Sequence, residues 1–211
     1  MTPTSRCATL APMLLFVAGC TESPPDEPAT ASLVPLAVTD EAIRGADGER
    51  LLDIGEIPSN IPIDDDAEFG AAQRFVAAEL SPEETRLAVT TQGAAHAAGW
   101  LLTVEEGTLR PAAFQYGGQV EPGRWRDDGA YVVFAMESPA PSRTLAVVEG
   151  GASGETVDAN ARPVRIPAHR EGVPPETEYR AHEWQDDSLL FEVDGERYRF
   201  DPASGEVEPG S

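Results

Sequence analysis

The sequence predicts an all-β chain: antiparallel sheets built from three blade-like repeats, preceded by a disordered tether. Three observations carry this. Trp125-Arg126-Asp127-Asp128-Gly129-Ala130-Tyr131-Val132-Val133-Phe134 reads as a polar turn feeding a buried strand. It is echoed by Leu80 to Val89, 45 residues earlier, and by Trp184 to Phe191, 59 residues later and two residues shorter. The runs after these turns are rich in β-branched and aromatic residues, as buried strands are. Turn dipeptides punctuate the apolar runs, with Asp194-Gly195 the strongest hairpin signal.

The chain before the repeats divides in three. Residues 1–19 read as an export signal: Arg6 is the only charge of the n-region, and Ala8 to Gly19 is an apolar run too short to anchor in a bilayer. It ends in Phe16-Val17-Ala18-Gly19-Cys20, which resembles a bacterial lipobox. That resemblance implies cleavage before Cys20 and acylation of its thiol. Cys7 leaves with the signal, so no thiol remains for a disulfide, a nucleophile or a thiolate metal site. Residues 20–40 are an acidic, Pro-rich tether, interrupted by Pro24, Pro25, Pro28 and Pro35. By resemblance to enterobacterial lipoproteins, Thr21, where a retention signal would have Asp, implies the outer membrane. Residues 41–66 are an irregular strap. Asp40 to Ile43 suits the start of a short helix, Leu51 to Ile54 a short strand or helix, and Pro58 and Pro62 extended backbone.

Residues 67–211 form the repeat domain. Ala71, Ala72, Ala77 and Ala78 suit a helix, but the repeat places a strand from Gln73 to Leu80. Ser81-Pro82-Glu83-Glu84 is turn chemistry. Strands follow from Arg86 to Thr91, Gly99 to Val104 and Thr108 to Gln115, with His96 in an Ala-rich link. In the second unit, strands run from Ala130 to Met136 and Arg143 to Val148. A loop from Glu149 to Pro174, with one strand around Val164 to Ile166, delays the third echo. The third unit has strands at Tyr179–Trp184, Leu189–Val193 and Arg197–Phe200, then a short one after Gly205.

Ser81-Pro82-Glu83-Glu84-Thr85-Arg86-Leu87-Ala88-Val89 resembles the Ser-Pro-Asp-Gly-x-x-Leu-Ala-Phe signature of TolB-type β-propeller repeats. Trp125 to Gly129 is similar to the same signature, and Arg197 to Glu206 to the hairpin that closes such a blade. The resemblance spans roughly residues 70–211. It implies a partial propeller or a sandwich-like stack, because three units are fewer than the four to eight that close a ring. It also implies a binding or scaffolding surface.

All 15 basic residues are arginine, against 37 acids, for a formal charge of −22. This excludes nucleic acid, whose phosphates need a basic face. The residues give no catalytic, metal or cofactor set. Gly151-Ala152-Ser153-Gly154-Glu155 lacks the last glycine of a nucleophile elbow. His96, His169 and His182 are read as surface or loop residues. Asp64, Asp66 and Glu68 alternate like calcium ligands, but Phe69 and Phe75 stand where a calcium loop needs Gly and Glu. The pairs Asp127-Asp128 and Asp186-Asp187 recur at turns, which makes them turn residues. Trp100, Trp125 and Trp184 have two readings, core residues or an aromatic binding surface.

The expected protein is a lipid-anchored cell-envelope protein, membrane-attached through Cys20, with a binding or scaffolding role and an envelope protein as partner. The alternatives are an exported hydrolase with an unrecognised site, or an immunity or inhibitor lipoprotein.

Overall fold

The computed structural model describes residues 32–140 and 142–210. The signal, Cys7, Cys20 and the tether up to residue 31 lie outside the described residues. Among the described residues seventeen strands are present, nearly all in antiparallel meanders. β1 (Ala37–Val38), β2 (Ala42–Arg44) and β3 (Arg50–Asp53) form a three-stranded sheet. β4 (Ile61–Pro62) and β5 (Glu68–Phe69) form a short hairpin. Three four-stranded sheets follow, one per repeat, each with its strands in sequence order. The first holds β6 (Ala72–Leu80), β7 (Arg86–Gly93), β8 (His96–Thr103) and β9 (Thr108–Tyr116). The second holds β10 (Gln119–Trp125), β11 (Tyr131–Ser138), β12 (Ser142–Glu149) and β13 (Ala161–Val164). The third holds β14 (Tyr179–Gln185), β15 (Ser188–Val193), β16 (Glu196–Phe200) and β17 (Val207–Pro209).

The sheets stack in chain order, with one apolar layer at each interface. Leu87, Val89, Trp100 and Leu102 of the first sheet pack against Ile43, Leu52 and Ile61 of the N-terminal strands. Its opposite face, through Ala88, Ala97, Leu101 and Ala113, meets Trp125, Val132 and Phe134 of the second. Val133, Leu145 and Val147 on the far side of the second sheet meet Leu189, Phe191 and Phe200 of the third. Successive side chains of a strand point to opposite faces, so a sheet between two neighbours must be apolar on both. β7 and β8 are accordingly buried almost continuously. β15 alternates buried and half-buried, because only one of its faces is covered. Leu87, Val89, Val132, Phe134 and Phe191 are fully buried, and Ala88 and Val133 between them are buried as well.

Equivalent turns close each unit. Ser81 N–H donates to the Arg86 carbonyl at 2.9 Å, and Arg126 N–H to the Tyr131 carbonyl at 2.8 Å, 45 residues on. Glu84, Gly129 and Asp186 carry the left-handed residue of the three turns. The tryptophans before the turns tie each sheet to its predecessor. Trp125 Nε1 donates to the Glu79 carbonyl and Trp184 Nε1 to the Arg124 carbonyl, both at 3.0 Å. Each acceptor is the residue just before the matching slot, Leu80 or Trp125, of the preceding unit.

Four local expectations are corrected and one open choice, at Leu51 to Ile54, is resolved. Residues 32–40 do not belong to a free tether: Ser32 Oγ and Leu33 N–H bind the Glu84 carboxylate at 2.8 and 2.6 Å, and β1 joins the N-terminal sheet. Asp40 to Ile43 leads into a strand, because Ile43 is needed under the first sheet. Leu51 to Ile54 is both options in turn, β3 and then a single 3-10 turn capped by Asp53. His96 lies in β8 and is buried; the alanines beside it are small because sheets approach closely there. At Gly99 a Cβ would stand 2.8 Å from the Phe134 ring. The long loop of the second unit holds a one-turn helix, α1 (Val157–Asn160), and its strand is Ala161–Val164, slightly earlier than expected.

Candidate functional site

A cleft of about 500 Å³ opens between the second and third sheets, walled by β10 and β14, the first strands of their meanders. Val133, Ala135 and Leu189 form its apolar lining. β10 runs close to β11 because position 123 is glycine: a Cβ there would fall 2.5 Å from Val133 Cγ1. A parallel bridge between Arg143 and Glu178 joins the start of β12 to the segment before β14.

Arg124 and Glu183 aside, the charged wall residues are paired. Arg143 meets Glu121 at 2.6 Å and Glu137 at 3.9 Å. Arg180 pairs with Glu178. His182 Nε2 lies 3.5 Å from Glu192. These groups are largely solvated, so each pair contributes at most about 1 kcal/mol and mainly fixes side-chain positions. Trp184 closes one end, half-buried and stacked on Tyr131 with ring centres 6.3 Å apart. Arg126 lies over that tyrosine at 4.8 Å, grips Asp128 at 2.6 Å and reaches Asp187 at 3.2 Å. The Arg126 hydrogen bond holds the Asp128 carboxyl below the usual carboxylate range. Asp128 Oδ1 also accepts from Ala130 N–H, so Asp128 is a turn residue, as its repeated position implied.

The other sequence candidates lie apart. Trp100 and Trp125 are core residues, at 0% and 7% exposure, and Trp100 Nε1 donates to Thr91 Oγ1. Of the three tryptophans read as a binding surface, Trp184 alone lines the cleft. His96 sits among Phe69, Phe114 and Tyr116, at neither surface nor loop, and burial pushes its imidazole pKa down. His169 Nδ1 lies 2.9 Å from the Tyr179 hydroxyl, which accepts from Ile166 N–H; this is a buried anchor, outside the cleft. The Asp64 carboxylate accepts from Asp66 and Ala67 N–H and so caps its own turn. Among the described residues no cluster of three histidines, cysteines or carboxylates fits a metal ion. No helix of the described residues is long and apolar enough to cross a membrane.

Sequence reasoning missed Arg124, Glu183 and Ala181 as cleft residues. The one available signal was positional: strands that begin a repeated meander border the groove between units.

Fold and cleft together define a stack of blade-like β-meanders with a ligand-sized gap between its last two sheets. No family model matches the chain, and neither does any curated protein. Among solved structures it is similar to TolB from Acinetobacter baumannii, at 14% identity and a TM-score of 0.41, over 80% of this chain and 36% of that one. It is also similar to a prolyl endopeptidase, at 15% identity and a TM-score of 0.36, over 81% of this chain and 33% of that one. The chain thus spans about a third of the length of each.

Proposed function

We propose that this chain is an exported protein, lipid-anchored through Cys20 to the outer membrane or another cell-envelope membrane, that binds an envelope partner in the cleft between its second and third sheets without transforming it. The anchor reading rests on the agreement of the apolar run with the lipobox-like Val17-Ala18-Gly19-Cys20. The binding reading rests on one observation: a cleft of about 500 Å³ with an apolar floor, ion-paired walls and a half-buried tryptophan at its end. That combination suits recognition. The cleft does not gather His169 with His182, as a two-histidine catalytic site would require, because His169 is engaged elsewhere by Tyr179.

Two measurements test this. A photo-crosslinking residue at Ala181, inside the cleft, should capture one discrete envelope species in cells, and the same group at exposed Ala203 should not. Equal labelling from both positions refutes the cleft. Cys20→Ser should release the protein from membranes or block its maturation; unchanged fractionation and processing sink the anchor.

A further inference from the structure

A second cavity, of about 350 Å³, adjoins the cleft and shares Arg124, His182 and Glu183 with it. Its remaining wall includes Arg197 of β16 and Leu190 of β15. Acids outnumber arginines 37 to 15 in this chain, and some of the described arginines reach a carboxylate at ion-pair distance. These are Arg50, Arg110, Arg126, Arg143 and Arg180. Of the nine described arginines that have none within ion-pair distance, Arg124 and Arg197 are the two that line this cavity.

From this we infer that Arg124 and Arg197, with His182 beside them, form a site for a carboxylate that carries a hydrogen-bond donor on the adjoining carbon. Peptide C-termini and aldonic acids share that chemistry. Guanidinium forks match a planar carboxylate in two-point contact. Glu183 is the discriminating wall: it accepts from the ligand's N–H or O–H and repels a doubly charged phosphate. Glu192 holds His182 and offers no positive charge. Leu190 leaves room for a small apolar substituent. The chain's overall negative charge repels anions from afar, but at physiological salt that field decays over roughly 8 Å, so the local arginines dominate. This assignment rests on the binding reading of the cleft and names its chemistry.

The test is calorimetric titration of the full chain at about 0.15 M salt. The probes are N-acetyl-dialanine, its C-terminal amide, gluconate, gluconamide and inorganic phosphate. One free acid should bind, which tells the two sources apart, and its blocked form should bind at least about tenfold more weakly, as expected for loss of a charged two-point contact. Arg124→Gln and Arg197→Gln should each weaken it by a similar factor while keeping a wild-type circular dichroism spectrum. Arg74→Gln, at an arginine outside both cavities, should leave it unchanged. The inference is overturned if no acid binds, if the blocked probes or phosphate bind as well as the acids, or if the two arginine variants match wild type. Crosslinking from Ala181 that persists in a chain that binds no acid leaves the cleft as a partner site and removes only the carboxylate. Acid binding without crosslinking does the reverse.

Discussion

Trp125→Ala is the sharpest probe of how the sheets are held together. The indole is 7% exposed, lies in the layer between the first and second sheets, and donates across it to the Glu79 carbonyl. Truncating a buried aromatic to alanine costs roughly 3–5 kcal/mol. Losing the indole donor costs about 1 kcal/mol of this, and Trp125→Phe isolates that share. Trp184→Ala, at the half-buried counterpart, should cost roughly half as much as Trp125→Ala. Urea unfolding followed by far-UV circular dichroism reads these values as shifts in midpoint at constant slope. At about 2–4 °C per kcal/mol for a domain of this size, Trp125→Ala should melt roughly 6–20 °C lower. A loss under about 1 kcal/mol, or a larger loss for Trp184→Ala than for Trp125→Ala, would refute the claim that this tryptophan pins adjacent repeats.

Burial holds the His96 imidazole neutral, with its pKa below the unfolded value of about 6.5. The unfolded chain therefore takes up the proton first, so this contribution is complete above pH 6.5 and is lost as pH falls below it. Denaturation midpoints should drop between pH 6.5 and 5 in wild type and stay flatter in His96→Leu; parallel curves would exclude His96 as the cause. Gly99→Ala places a methyl 2.8 Å from the Phe134 ring and 3.0 Å from Ala113 Cβ, and should cost about 1–3 kcal/mol by the same unfolding assay. An unchanged midpoint would mean the two sheets separate freely. The purified full chain should carry no stoichiometric transition metal; one zinc per chain, lost on His182→Ala, would contradict the reading of His182 as a cleft residue paired to Glu192.

The repeat was legible because its marks are local. The turn residues around Pro82, Gly129 and Asp186 and the apolar strands after them stand at fixed offsets in the sequence. β6 is a strand despite its alanines because β7 needs a partner, and the offset alone indicated that. The stacking was less legible. Ala97 and Ala98 looked like linker composition, yet small residues mark close approach of sheets as readily as flexibility. The cleft was not legible. Its walls come from residues some 60 positions apart, such as Arg124 and Trp184, and their meeting depends on how one sheet lies on the next. His182 and the three tryptophans were visible, but nothing in the sequence separated Trp184 from the two that are buried.

The third sheet has a neighbour on one side only. Its free face carries Glu192, Arg199 and Glu208, while the first and second sheets are covered on both sides. In a linear array, stability is the sum of each unit's own free energy and its couplings to its neighbours. The end unit is thus coupled once where the first and second sheets are coupled twice. Amide exchange should be faster in β14 to β17 than in those two sheets, and detachment of the third sheet is the lowest-energy opening among the three repeats. That opening runs through the layer beside the cleft, so an occupant gripping both β10 and β14 would act as the missing second coupling and slow exchange throughout the last sheet.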